Sequence, residues 1–271
     1  MKNQIFLTGP GRSGTTLTNA VLSLHPEITS INSWYALTKK PVFNFLGERM
    51  RRVSMLRKYL GKARGFPRAN EPLQLWRDSF HNFWNAVNDQ EPLGTNEKDR
   101  FRRRITGIMR YESADKSFMT KMTGPPFNRV LRDIFPDAKI VWVDRDPRAV
   151  VLSYIKMGWV GVERVSRDKV SGMTKEELIR ESCHRYNHYY DLKTKEKFDY
   201  TFLYEDLVED KLSAITNLLD ALGLSKPPGY LRLIEQTTVY GNRNANYELS
   251  PSEYDLMTTL LSKPLKARGL V

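Results

Sequence analysis

The chain begins with a strand-like segment that runs directly into a glycine-rich loop. Residues 4–16 read QIFLTGPGRSGTT. The apolar run at the start predicts a buried strand, and three glycines within six positions favour a tight turn and a close approach of the backbone to a ligand. Apolar residues at spacings of three and four follow from Leu17, so a helix begins at the end of the loop and ends before Pro26. A strand, a glycine loop and a helix N-terminus together form a site for a phosphate or a similar anion.

The loop differs from a Walker A sequence in the position of its cation. A Walker A loop carries a lysine directly after its last glycine, whereas this chain has Thr15 after Gly14 and places Arg12 inside the loop. A nucleoside triphosphatase uses that lysine at the β- and γ-phosphates, so the departure argues against this class and favours a shorter, less charged leaving group. The alternative interpretation is a loop that only turns the chain.

Composition limits the class of protein and its ligands. The 271 residues are 40% hydrophobic, which supports a sizeable core, and the net charge of +12 indicates anionic ligands. Cys183 is the single cysteine, so no internal disulfide forms. The first residues lack the apolar segment of a signal peptide, and no run approaches the roughly 20 apolar residues that span a bilayer. We therefore expect a cytoplasmic protein.

Strand-like and helix-like segments alternate along the rest of the chain. Apolar runs predict strands near residues 28–31, 117–121, 139–144 and 200–203, and helical spacings or helix caps lie between them. This alternation predicts an α/β protein, namely a P-loop-like three-layer fold with a mainly parallel central sheet and helices on both faces. No linker composition divides the chain, so we expect one domain over residues 1–271, with a basic helical insertion at about residues 37–110.

The insertion carries most of the positive charge. Residues 39–70 contain ten basic residues and one acid, Glu48. A helical spacing of apolar residues predicts a basic amphipathic helix: Leu46, Met50, Val53, Leu56 and Leu60. One interpretation is a surface for a polyanionic acceptor or an anionic membrane, and the other is a solvated helix with a basic outer face. On the first interpretation, charge reversal at Arg51, Arg52 and Arg57 should weaken acceptor use and leave donor affinity unchanged.

Two blocks of the sequence resemble the donor-binding motifs of sulfotransferases. Residues 10–17, PGRSGTTL, with His25 and Pro26 after the helix, resemble the 5′-phosphosulfate loop of that family. Residues 135–153, FPDAKIVWVDRDPRAVVLS, resemble its 3′-phosphate block, in which a strand precedes R-[DN]-P-[RK] and a serine lies eight residues after the first arginine. The similarity spans most of the chain except the basic insertion. The bacterial and tyrosylprotein branches are nearer than the cytosolic phenol branch.

The resemblance implies a sulfotransferase domain that moves a sulfuryl group from 3′-phosphoadenosine 5′-phosphosulfate to an acceptor hydroxyl or amine. In the matched positions Lys121 is the catalytic lysine, and Arg12 lies with it near the bridging oxygen, where both would stabilise developing charge. The 5′-phosphosulfate would be held by Arg12, Ser13, Gly14, Thr15 and Thr16. The 3′-phosphate would be held by Arg145 and Ser153, with Tyr204 near the adenosine and Arg243 in a closing C-terminal loop.

The resemblance and the charge together set expectations for partners. A phosphosulfate has fewer charges than a triphosphate, so no metal is expected. The basic insertion indicates an acidic acceptor, such as an anionic glycan, an acidic peptide or a lipid headgroup, and it is compatible with peripheral membrane contact. We expect no nucleic-acid partner, because no nucleic-acid-binding motif accompanies the charge. The oligomeric state does not follow from the sequence.

The general base departs from the family pattern. The phenol branch has a histidine two residues after its lysine, where this chain has Thr123. The tyrosylprotein branch has a glutamate pair after the first helix, where residues 31–34 contain no carboxylate. Glu71 is our first candidate for the base and His81 the second. A chain without any base would be a degenerate family member that only binds nucleotide.

Two other classes of function stay open. Residues 139–144 resemble a Walker B strand, in which Asp144 would hold Mg²⁺ in a kinase or nucleoside triphosphatase. The missing lysine at Thr15 and the presence of Arg145 beside Asp144 argue against it. The second class is a non-catalytic binder of polyanions. His184 and His188 are four residues apart on a predicted helix, but no third ligand has a suitable spacing, so no metal site is expected.

Overall fold

A central sheet of five strands organises the protein. The computed structural model describes residues 2–53, 65–71, 73–80, 93–161, 170–239 and 249–271. Every pair of neighbouring strands is parallel, and the strand order is β2-β3-β1-β4-β5. The strands are β1 (Gln4–Gly9), β2 (Ile28–Ser30), β3 (Ser117–Thr123), β4 (Lys139–Asp144) and β5 (Tyr200–Leu203). The predicted α/β class with a mainly parallel sheet is confirmed.

Helices occupy the connections between the strands and the C-terminal part of the chain. In the described residues they are α1 (Thr15–Leu22), α2 (Ser33–Thr38), α3 (Pro41–Arg52), α4 (Leu73–Ser79), α5 (Thr95–Met109), α6 (Asn128–Ile134), α7 (Pro147–Met157), α8 (Lys175–Lys193), α9 (Tyr204–Glu209), α10 (Lys211–Leu222), α11 (Pro228–Gln236), α12 (Pro251–Leu260) and α13 (Ser262–Ala267). Helices α2 to α5 lie between β2 and β3 in the chain, which is the region of the predicted basic insertion.

The strand at the centre, β1, sends side chains into two separate cores. Successive residues of a strand point to opposite faces. Phe6 packs in one apolar cluster with Trp76 of α4, and Leu7 packs in another with Leu218 of α10. Since both faces of the sheet are covered, most strand residues are buried and strands β1 and β4 are largely apolar, as is usual for parallel sheets. This arrangement confirms the three-layer prediction.

The strand register brings three sequence motifs to one edge of the sheet: the glycine loop after β1, Lys121 on β3, and the 135–153 block that contains β4. In the pairing of β1 with β3, Lys121 lies beside Leu7, and Thr123 lies beside Gly9 at the start of the glycine loop. The next strand, β4, pairs with β1 on the other side. Because all strands run in the same direction, their carboxyl ends meet at this edge, which is where open α/β sheets bind ligands.

Helix α3 is shorter than the predicted amphipathic helix. It ends at Arg52, and Val53 leaves the helix with φ −73° and ψ 109°. A continuous helix from Leu46 to Leu60 is therefore wrong. Residues 54–64, which include Arg57, lie outside the described residues.

The polarity of α3 is also the reverse of the prediction. Its buried residues include Asn44, Glu48 and Arg51, whereas Phe43 and Leu46 are exposed. An apolar stripe normally faces the core. In α3 the polar side chains face inward because they find partners there, and the apolar side chains face outward.

A paired polar network explains this reversal. Arg51 Nη1 lies 2.6 Å from Glu48 Oε1, and Ser30 Oγ donates to Glu48 Oε2 at 3.3 Å. The Asn32 backbone N–H donates to Asn44 Oδ1 at 3.0 Å. Arg52 donates to the Ile28 carbonyl at the start of β2. Buried polar groups are tolerated when they are paired in this way.

The predicted basic outer face is therefore wrong for Arg51 and Arg52. Arg51 is only 5% exposed, and burial lowers the pKa of the Arg52 guanidinium. Charge reversal at either position would disrupt the contact between α3 and β2 and would not test acceptor binding. In the described parts of the chain, no helix is both long enough and apolar enough to cross a membrane.

Candidate active site

The glycine-rich loop joins β1 to α1 as predicted. Ser13 N–H donates to the Pro10 carbonyl at 3.2 Å, and α1 begins after Gly14, which has a φ of 101°. A Cβ at Gly14 would collide with the ring of Tyr204, so the position requires glycine for both its backbone and its contact. The free N–H groups at the start of α1 point out of the helix, as at anion sites.

A buried hydroxyl in the loop lacks a protein partner. Ser13 is fully buried, and its Oγ makes no hydrogen bond. Buried polar atoms are nearly always paired, so an unpaired one needs an explanation. An anion seated in the loop would accept this hydrogen bond.

Arg12 joins the loop to the second predicted block. Its Nε donates to Ser153 Oγ on α7 at 2.8 Å. Arg145 Nη1 in turn donates to the Arg12 carbonyl at 3.3 Å. The two blocks that are more than 130 residues apart in the chain thus meet at one place, with Arg12, Arg145 and Ser153 in contact.

A cavity of about 260 Å³ opens beside this junction. Arg145, Ala149, Tyr204 and Val208 are among the residues that line it. The Arg145 guanidinium lies 4.6 Å from the centre of the Tyr204 ring. Burial lowers the pKa of this guanidinium. Arginine stays charged in proteins, so the cavity presents a partly desolvated cation beside an aromatic surface.

Lys121 lies between the loop and a carboxylate. Its side chain is nearly buried, with the residue 4% exposed. Nζ donates to Thr16 Oγ1 at 2.9 Å and to Glu71 Oε2 at 3.0 Å. The ammonium therefore contacts the first turn of α1 on one side and Glu71 on the other.

Glu71 is held at this place by three hydrogen bonds. Lys121 binds Oε2, while Oε1 accepts from the Thr123 N–H at 3.0 Å and from the Thr123 hydroxyl at 2.6 Å. The carboxylate is 20% exposed. It lies at the edge of the sheet that carries Lys121.

A short antiparallel contact brings Glu71 to the sheet. Asn70 N–H donates to the Ile31 carbonyl at 3.0 Å, and Ser33 N–H donates to the Arg68 carbonyl at 2.9 Å. Asn32 and Ala69 form the bridge between these bonds. The segment at 65–71 thus lies along the continuation of β2, and its last residue reaches β3.

Asp144 has a different environment from the magnesium ligand of the rival interpretation. Its Oδ2 accepts from Lys193 Nζ at 3.0 Å, and its Oδ1 accepts from the Arg145 N–H at 3.0 Å. The residue is 4% exposed. A carboxylate that is buried and paired with an ammonium is a poor ligand for a divalent cation, so this contact argues against a Walker B role.

The other sequence candidates are two residues outside the described ranges and two histidines on α8. His81 and Arg243 lie outside the described residues. His184 and His188 lie on α8 next to the buried Cys183. In the described ranges, no group of three or more metal-ligating side chains is found.

Thr123 is the residue whose contact the sequence interpretation missed. In the sequence Thr123 only marks the absence of the histidine of the phenol branch, yet its backbone and side chain both orient Glu71. The signal was present, because Lys121 and Thr123 are two apart on one strand and so share a face. The sequence did not show that the partner of Thr123 is Glu71, which lies 52 residues away in the chain.

Comparison with known proteins decides the family. A family model described as the sulfotransferase family matches residues 4–228. The chain belongs to the sulfotransferase family. The matched range of this sulfotransferase includes the loop, Lys121, the 135–153 block and Tyr204, and it stops before Arg243. No curated protein sequence matches the chain.

Solved structures share the fold of this sulfotransferase. Sulfotransferase STF9 from Mycobacterium avium superposes with a TM-score of 0.64 at 14% identity, over 98% of this chain and 76% of that chain. Sulfotransferase STF1 from Mycobacterium tuberculosis H37Rv superposes with a TM-score of 0.61 at 18% identity, over 97% of this chain and 76% of that chain. At these identities the likeness establishes the fold alone.

Proposed function

We propose that this sulfotransferase uses 3′-phosphoadenosine 5′-phosphosulfate as its donor and sulfates a hydroxyl or amine of its acceptor. The observation that carries the proposal is the meeting of the glycine loop with two cations from other strands. Lys121 reaches the loop from β3, and Arg145 reaches it from the end of β4. A donor with anionic groups at both its 5′ and 3′ positions fits a site in which two cations reach the loop from different strands.

The residues present fit the donor in three places. The unpaired Ser13 Oγ and the N–H groups of α1 suit the 5′-phosphosulfate. Arg145 and Ser153 suit the 3′-phosphate, since Arg12 already holds them next to the loop. The ring of Tyr204 and the cavity beside it suit the adenosine.

In this proposal, Lys121 and Arg12 stabilise the negative charge that develops during the reaction. The donor supplies the sulfuryl group, and adenosine 3′,5′-bisphosphate is the product. The ammonium of Lys121 is fixed beside the loop by Thr16 before any ligand arrives. A cation that is already in position and shielded from water stabilises developing negative charge without a reorganisation cost.

Glu71 is the general base in this proposal. Thr123 and Lys121 orient its carboxylate, and its exposed fraction leaves it open to an acceptor. The general base would take the proton of the acceptor hydroxyl as the oxygen attacks sulfur. An acidic acceptor remains our prediction, although Arg51 and Arg52 no longer support it because they are buried or paired.

Calorimetric titration tests the donor. We expect micromolar affinity for adenosine 3′,5′-bisphosphate and none for ATP or GTP with Mg²⁺. Arg145→Ala should lower the affinity for the bisphosphate by about tenfold or more, which corresponds to a change in binding free energy of about 1.4 kcal/mol. The affinity for adenosine 5′-phosphate should stay unchanged. Binding of ATP or GTP alone would instead support the kinase interpretation. Absence of all binding would support a degenerate binder of polyanions.

Turnover of the phosphosulfate with a panel of hydroxyl and amine acceptors tests the base. Glu71→Gln should lower turnover by roughly 10²- to 10⁴-fold, with affinity for the bisphosphate retained. The control is Glu235→Gln, an exposed glutamate on α11. Wild-type turnover in Glu71→Gln would remove Glu71 from the mechanism and leave the donor assignment intact.

A further inference from the structure

The outward face of α3 is apolar and exposed to solvent. Val42, Phe43 and Leu46 are 37%, 36% and 45% exposed. Leu37, at the end of α2, is 82% exposed, and Val53 directly after α3 is 47% exposed. We call these five residues the α3 surface. In a helix, positions 42, 43 and 46 are neighbours on one side, so three of the five form a continuous stripe.

This surface concentrates exposed apolar side chains. Among the described residues, five of the twelve large apolar side chains that are clearly exposed lie between residues 37 and 53. Tyr111 extends the surface, since it is exposed and its ring centre lies 6.0 Å from that of Phe45 on α3. Single exposed apolar residues are ordinary, whereas a contiguous group indicates an interaction site.

Packing of the fold does not account for the surface. The opposite side of α3 already makes the contacts that hold the helix, through Asn44, Glu48 and Arg51. The outward apolar residues contribute nothing to that network. Polar residues at those positions would serve solubility better, so the apolar stripe indicates a partner.

Unpaired cations border the stripe and define the partner's charge. Lys39, Lys40 and Arg49 are exposed. In the part of the chain that the structure describes, none of the three has a carboxylate within ion-pair distance, and the nearby Glu48 is buried in its contact with Arg51. Arg49 stacks over Phe45 at 4.7 Å, which keeps one cation directly beside the apolar residues.

We propose that the α3 surface docks the protein onto a bilayer that contains anionic lipids. The apolar side chains would enter the interface, and the bordering cations would contact lipid phosphates. Asn32 connects α3 to the segment at 65–71 through its bonds to Asn44 and its bridge to Ala69. The docked surface and Glu71 thus belong to one packed unit, beside the candidate active site.

Vesicle sedimentation tests the proposal without donor or acceptor, so it is independent of the proposed chemistry. We expect the protein to sediment with vesicles of phosphatidylcholine and phosphatidylglycerol, and at least tenfold less with phosphatidylcholine alone. Binding should decrease as NaCl rises from 50 to 500 mM, roughly as screening predicts. The double variants Phe43→Ser with Leu46→Ser, and Lys40→Glu with Arg49→Glu, should each lower the bound fraction at least fivefold.

Matched variants elsewhere on the surface control for general effects. Met157→Ser with Leu270→Ser changes two exposed apolar residues, and Lys266→Glu changes an exposed lysine, all away from α3. These variants should bind like the wild type. Absence of wild-type binding to anionic vesicles, or full binding by the α3 variants, would overturn the proposal. A wild-type dimer that Phe43→Ser with Leu46→Ser converts to a monomer, without vesicle binding, would identify a second copy as the occupant instead.

Discussion

The two sides of Lys121, which we call the donor side and the acceptor side after the proposed function, are built in different ways. On the donor side, Thr16 belongs to a strand, loop and helix that occupy fewer than twenty consecutive residues. On the acceptor side, Glu71 arrives from 50 residues away, through an antiparallel contact with residues 31–33. The first side is a local unit that the parallel pairing of β1 with β3 brings to Lys121, whereas Glu71 reaches Lys121 only through the antiparallel contact between two irregular segments. We therefore expect substitutions of ligand-facing side chains to affect chemistry alone on the donor side, but chemistry and folding on the acceptor side.

Two helices repeat this contrast. Helix α7, which begins within the 135–153 block, is capped by Asp146 and buries its apolar residues Val150 and Val151. Helix α3 buries Glu48 and Arg51 and exposes its apolar residues. Apolar spacing therefore predicts the inward face of a helix only where the neighbouring elements do not offer polar partners. The four predictions below test this comparison.

Lys121→Ala removes the contact with Thr16 and the contact with Glu71 at once. We expect turnover of the phosphosulfate to fall roughly 10³-fold, because a fixed cation beside the loop is lost. Circular dichroism should show an unchanged fold. The control Lys156→Ala removes an exposed lysine at the end of α7 and should keep full turnover. A fully active Lys121→Ala protein would refute the role of this lysine.

Arg51→Glu tests whether the α3 contact is structural. It places a carboxylate against buried Glu48, so we expect a loss of about 3–5 kcal/mol in the free energy of unfolding. Arg49→Glu, two residues away and exposed, should change it by less than about 0.5 kcal/mol. Urea unfolding measures both. Equal stability of the two variants would contradict the reversed polarity of α3.

Substitutions at Thr123 test the positioning of Glu71 separately from folding on the acceptor side. Thr123→Val keeps the shape but removes the hydroxyl that donates to Glu71, so we expect kcat to fall about tenfold, the equivalent of one charge-assisted hydrogen bond. The donor KM should not change. Thr123→Ser restores the hydroxyl and should restore kcat. A serine variant as slow as the valine variant would show that the hydroxyl does not position the base.

His25 gives the smallest effect and lies on the donor side, after α1. Its Nε2 donates to the Ser225 carbonyl, its Nδ1 accepts from the Glu27 N–H, and burial lowers its pKa below 6.5. The unfolded chain therefore takes up a proton first, so stability is lost as the pH falls below 6.5. We expect His25 to contribute a loss on the order of 1 kcal/mol per pH unit, which His25→Gln should remove and His184→Gln should retain. Burial also lowers the pKa of His188, and its contribution should be the same in both variants. Urea unfolding between pH 7 and pH 5 measures it, and an identical slope in His25→Gln would contradict this account.

Each of the two units on the donor side could be predicted from the residues, because the contacts within a unit are short-range. A strand, three glycines and a helix start form one local unit, and the α7 block follows β4 directly. The parallel sheet then brings both units to one edge, since its carboxyl ends are aligned. Lys121 was assigned through the resemblance to the family, and the strand register places it beside Leu7.

The acceptor side depended on contacts that no spacing records. Glu71 was named from the sequence, but only the antiparallel contact with residues 31–33 places it on Lys121. The same holds for α3, whose buried face follows from the hydrogen-bonding groups of β2 and Asn32. Hydrogen bonds between distant segments leave no periodic pattern in the chain, because each partner obeys its own local rules and the pair exists only after folding.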